Sequence, residues 1–223
     1  MSDRILLVDS DMFVLLAGAG LLETVANLLG FQLAELRRLD PLPHQLRKSH
    51  KFQEKYSKPV RDKALAWCDK VKSITERPEN DDALQRLAAA DRIDEGEALL
   101  FGLMAEQELY LLASGDKVAM RALAQGANLK DVRQAVSGRI ICLEAVVGLL
   151  VKSVGTSKTA TAFAPLRDGN GTLRALFSQG EQTPQEACLA GIASYLNDLI
   201  KDVGRGFLLI PEVNNNGTRK EGK

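Results

Sequence analysis

Short apolar runs and longer helical stripes alternate along the first two thirds of this chain. Ile5, Leu6, Leu7 and Val8 form an apolar run of strand length, and Phe13, Val14, Leu15, Leu16, Leu21, Leu22, Val25 and Leu28 follow in a helical stretch closed by Gly30. Residues 31–36 predict a short second strand. Residues 43–92 are polar and helical in character, with breaks near Pro59 and Pro78, and hold the single tryptophan, Trp67; they predict a helical cover. Beyond them, 94–104 predict a helix, 109–113 a central strand, 117–125 a helix ended by Gly126, 139–143 a strand and 144–152 an amphipathic helix. This β, α, β, α order predicts an α/β fold around a mostly parallel sheet, with the core unit ending near Gly155.

Residues 156–223 predict a C-terminal helical extension. Asp168-Gly169-Asn170-Gly171 signals a loop. Thr183-Pro184-Gln185-Glu186 has capping-box spacing with proline at the first helical position, ahead of Leu189, Ile192, Leu196, Leu199 and Val203 at helical intervals. That stripe must be buried on the core or on a second copy, which would make a homodimer. The polar residues 214–223 predict a disordered tail.

Composition narrows the field. At 223 residues, 45% hydrophobic and 26% charged, the chain has ample material for a globular core. Lysine plus arginine balances aspartate plus glutamate at 29 each, so no global positive field draws in nucleic acid, and any polyanion must be held locally. The candidate lies between Arg37 and Arg61. There Arg37, Arg38, Arg47, Lys48, Lys51, Lys55, Lys58 and Arg61 surround Phe52 and Tyr56, a mixture able to follow a phosphate backbone and equally expected of a solvated helix face. Cys68, Cys142 and Cys188 stand far apart, and His44 and His50 are six residues apart, which argues against structural zinc or a disulfide framework. No signal peptide and no apolar run near the roughly 20 residues of a membrane span is visible, so the expected location is cytoplasmic.

Three acids carry the chemistry. Asp9 follows the first apolar run, Glu97 opens the helix after Asp94-Glu95-Gly96, and Asp116 follows Leu109 to Gly115. In a parallel sheet, strand C-termini and helix N-termini share one edge, so these carboxylates are expected to gather there and hold Mg²⁺ or Mn²⁺. Each has a plainer reading as a helix cap: Asp9 or Asp11 for the first helix, Asp94 with Glu97 as a capping box, and Asp116 for the helix starting at Lys117.

In order and context these residues resemble the PIN-domain family of metal-dependent nucleases, the fold of many toxin ribonucleases of bacterial toxin–antitoxin systems. Leu6-Leu7-Val8-Asp9-Ser10-Asp11 is similar to the family's first motif, Gly96-Glu97-Ala98 to a later helix start, and Leu111-Leu112-Ala113-Ser114-Gly115-Asp116-Lys117 to its apolar strand ending in Ser-x-Asp. The resemblance covers residues 1 to about 155. It implies a PIN-like α/β/α sandwich with a helical insertion at 43–92, outside which the extension falls. It further implies hydrolysis of phosphodiesters, RNA ahead of DNA, with Mg²⁺ or Mn²⁺ held by Asp9, Glu97 and Asp116 and with Asp11 in the neighbouring polar slot. On the same resemblance Ser114 would bind a metal-bound water, Lys117 would meet the phosphate and an antitoxin-like protein would be a partner, while Arg47 and Lys48, from the basic stretch, are further candidates for holding the substrate. The chain departs from the family at 43–49, where the usual early glutamate is missing and Glu54 is the nearest substitute.

Two other functions compete. Asp9-Ser10-Asp11 also resembles the nucleophile motif of haloacid-dehalogenase-like phosphatases, although Met120 stands where their second late acid is expected. A PIN-like binding module without catalysis fits the missing glutamate and the balanced charge.

Overall fold

The computed structural model describes residues 4–212. Five strands, β1 (Ile5–Val8), β2 (Leu36–Arg38), β3 (Lys72–Ser73), β4 (Tyr110–Ser114) and β5 (Ile140–Cys142), form one sheet in the order β3-β2-β1-β4-β5. All four pairings are parallel, with Leu6 opposite Leu36 on one side and Leu111 on the other. Leu6, Leu7 and Val8 are buried on both faces of the sheet, which is why β1 reads as a continuous apolar run rather than an alternating one.

Helices fill every crossover. α1 (Ser10–Ala19) and α2 (Leu22–Leu28) follow β1, and α3 (Leu42–Lys48), α4 (His50–Lys55) and α5 (Lys58–Cys68) separate β2 from β3. α6 (Asp81–Ala88) and α7 (Glu95–Glu106) lead to β4, and α8 (Lys117–Gln125) and α9 (Lys130–Val136) lead to β5. The chain steps from β1 through β2 to β3 in one direction, then returns past β1 to β4 and β5. With crossovers of the usual right hand, the two helix sets lie on opposite faces. Accordingly α1 packs on α5, while α7 packs on α6 and α9. This is the expected α/β/α sandwich.

Several local expectations are corrected. The first helix breaks into two because Gly20 adopts φ 74° and donates its N–H to the Ala17 carbonyl, ending α1 ten residues before Gly30. The second strand starts later than expected: Glu35 accepts from the Gln32 N–H at 2.7 Å, winding 33–35 into a 3₁₀ turn ahead of β2. The 43–92 segment is not wholly helical, since it contributes β3, whose Lys72 and Ser73 pair with Arg37 and Arg38. The capping box at Thr183 does not form, because its hydroxyl accepts from the Gln179 N–H and Pro184 takes the cap position.

Beyond Gly155 the extension holds α11 (Thr156–Arg167) and α12 (Gly171–Leu176) before the expected long helix, α13 (Gln185–Val203). α10 (Leu143–Val154) packs on α11 and α13, α11 also on α1, and α13 also on α8 and α12. Ile192, Leu196, Leu199 and Val203 are buried on this chain's own core. The chain then runs beside β5, where Leu208 bridges Ile140 in parallel and the Leu209 N–H donates to the Ile140 carbonyl at 2.8 Å. The tail at 214–223 lies outside the described residues. No single helix among the described residues is long and apolar enough to cross a membrane.

Candidate active site

β1 and β4 lie side by side, but their crossovers leave in opposite directions, which makes their C-terminal ends the switch point of the sheet. A cleft of about 1140 Å³ opens at this edge. Its carboxylates are Asp9, Asp11, Asp40, Glu76, Asp94, Glu95, Glu97 and Asp116, against only Lys51 and Arg77 as cationic side chains.

Asp9 sits where β1 becomes α1 and is 7% exposed. One carboxylate oxygen accepts from the Met12 N–H at 2.5 Å and caps α1; the other accepts from the Gly115 N–H at 2.8 Å, across from β4. Burial pushes its carboxyl up to about 6, against the opposing pull of the Ser114 hydroxyl and those two amides. Asp116 caps α8 by accepting from Val118 and Ala119 at 2.8 and 2.9 Å, and its own N–H donates to the Ser114 hydroxyl at 3.1 Å. The buried Ser114 thus links the two acids.

Glu97 forms the expected capping box: it accepts from the Asp94 N–H and donates its own N–H to the Asp94 carboxylate, both at 2.8 Å. It also meets Asp116. Burial first, then the Asp116 and Asp94 charges, push Glu97 up to about 8 against the pull of its capping bond. Gly96 leaves room for the capping carboxylate and for Leu39, since a Cβ there would lie 2.9 Å from the Leu39 side chain and 3.3 Å from the Asp94 carboxylate. Capping and gathering at one edge therefore coexist in all three acids.

Other expected residues point elsewhere. Asp11 lines the cleft, but its carboxylate pairs with Lys55 and accepts from the Tyr56 hydroxyl at 2.9 Å; burial and that charge push the Tyr56 phenol far up. Lys117 turns from the cleft to Glu144, 2.5 Å away. Arg47 and Lys48 are exposed and do not line the cleft, whereas Lys51 from the same segment does. Arg38 and Arg61 are spent on carbonyls of Cys68, Leu46 and Tyr56, holding the α3 to α5 segment together. Phe52 and Tyr56 are both buried, their centroids 5.8 Å apart, so they pack as core, with only Phe52 reaching the cleft wall, and they do not form an open stacking platform. Glu54 pairs with His50 on the surface and does not reach the cleft.

Sequence reasoning missed Asp40 and Glu76, which line the cleft just beyond β2 and β3. The rule that exposed Asp9 and Asp116 would have found them, had those two strands been placed correctly. Among the described residues, no three His, Cys, Asp or Glu side chains stand close enough together to enclose a metal ion. Comparison with protein-family models, with characterised proteins and with solved structures finds no match to this chain.

Proposed function

We propose that the cleft is the active site of a PIN-like, Mg²⁺- or Mn²⁺-dependent nuclease, foremost an endoribonuclease. The observation that carries this reading is that Asp9, Glu97 and Asp116 all reach one cleft at the switch point of the sheet, where burial first and the Asp116 charge after it raise the Glu97 carboxyl. Carboxyls so gathered are unfavourable when ionised, and a hard divalent cation is the partner that relieves them. Glu97 and Asp116 would supply two oxygens to that ion, and Asp9 lines the same cleft beside the β4 end, with water to complete the shell. Asp11 joins this set only by giving up Lys55.

When bound, the metal supplies an activated water and stabilises charge on the scissile phosphate. Ser114 holds Asp9 and Asp116 in register, and Lys51 and Arg77, the two cations of the cleft, meet the flanking phosphates. Among the basic residues singled out in the sequence, Lys117 is not a phosphate contact in this arrangement. An antitoxin-like protein and a cytoplasmic setting, which suits three unpaired cysteines, belong to the same reading.

A second reading, a PIN-like binding module without catalysis, is favoured by the spacing of the acids, no three of which enclose an ion among the described residues. One experiment separates the two. Single-stranded RNA, single-stranded DNA and a phosphomonoester are each incubated with Mn²⁺, Mg²⁺ or EDTA and the natural chain, Asp9→Asn or Asp116→Asn, alongside Mn²⁺ calorimetry. The nuclease reading expects metal-dependent cleavage lost in both variants. A folded natural chain that neither binds Mn²⁺ nor cleaves supports the binding module, and hydrolysis confined to a phosphomonoester supports the phosphatase.

A further inference from the structure

Lys117 is the first residue of α8 and follows Asp116 directly. A cation there opposes the positive end of the helix dipole, so helix stability does not explain it. Its ammonium instead pairs at 2.5 Å with Glu144, a carboxylate only 1% exposed in the first turn of α10. Two further contacts come from beyond Gly155. The Thr172 hydroxyl of α12 lies 3.3 Å from the same Glu144 oxygen and 3.4 Å from the Lys117 nitrogen, and the Tyr195 ring of α13 lies 4.9 Å from that nitrogen. The other Glu144 oxygen has no partner among the described residues, so Lys117 is the only charge that answers it.

We propose that Lys117 is a positioning residue: anchored by Glu144, Thr172 and Tyr195, it fixes the first turn of α8 and so sets the Asp116 carboxylate at the cleft, making α12 and α13 part of the site. The consequence for metal rests on the nuclease reading, while the positioning itself does not.

The test uses the full chain carrying Thr172→Val, Lys117→Arg, or Lys117→Met with Glu144→Gln, the last leaving no buried charge. Three quantities are read: the amide proton shifts of Val118 and Ala119, which report the cap at Asp116; urea stability; and Mn²⁺ affinity by calorimetry. The double variant and Thr172→Val are expected to move both amides upfield, and the double variant to weaken Mn²⁺ binding on the order of tenfold. Lys117→Arg is expected to keep the cap shifts. Unchanged cap amides in a folded double variant, with or without a loss of stability, overturn the proposal. If the natural chain binds no Mn²⁺, the nuclease reading falls, and the cap amides still decide the role of Lys117.

Discussion

Replacing Glu97 with glutamine should make the protein more stable at alkaline pH and less dependent on pH. Glu97 is raised from 4.5 to about 8 in the fold, chiefly by burial and then by Asp116 and Asp94, against the pull of its capping bond. The folded state therefore holds the Glu97 proton more tightly than the unfolded chain between those two values. This contribution to stability is complete below about pH 4.5, declines through the window and is gone above about pH 8. At 1.36 kcal/mol for each pH unit, the full shift sets an upper limit of about 5 kcal/mol, and solvent screening at a partly exposed side chain reduces the expected effect to about 2 kcal/mol. Glutamine keeps an oxygen to accept from the Asp94 N–H, so the cap survives while the charge is removed. Urea unfolding from pH 5 to 9 in EDTA measures the effect. The natural chain should lose about 2 kcal/mol relative to Glu97→Gln as pH rises through this window. Asp9 titrates lower, at about 6, and is common to both proteins, so the difference isolates Glu97. Parallel stability curves, or a natural chain that gains on the variant toward pH 9, would refute the argument.

Lys117→Met alone should destabilise the fold by about 3–5 kcal/mol, because it strands Glu144 as a buried charge, and adding Glu144→Gln should recover most of that loss in urea titrations. Gly102→Ala should cost about 1–3 kcal/mol, since its new Cβ would lie 2.7 Å from the Pro78 ring at the contact that seats α7, and thermal unfolding reads this directly.

The parts of the fold visible in the sequence are those whose signals are local. β1 is a run of four apolar residues, three of them buried, α8 begins at its aspartate cap and ends before Gly126, and Asp94 and Glu97 form the capping box that their spacing suggests. What escaped depends on distant partners. β3 is two residues long, one of them lysine, and is a strand only because β2 pairs with it. Thr183 has a capping spacing, yet its hydroxyl is drawn off by Gln179. Phe52 and Tyr56, four residues apart beside lysines, read as a binding surface because the spacing of an inward stripe and of a stacking patch is the same. The candidate site was half legible: Asp9, Glu97 and Asp116 reach one cleft, but nothing around Lys117 announces Glu144, which is brought to it by a neighbouring strand.

The strand order also sets a schedule for synthesis. β1 is made well before β4, one of its two neighbours, with Leu6 facing Leu111, so one edge of its apolar run stays unpaired until synthesis has passed Leu111. The far margin closes later still, when Leu209 reaches Ile140. Pairings so distant along the chain favour slow folding and leave early segments exposed to aggregation. Until β4 has been made, the central strand lacks the final neighbour on one of its two edges.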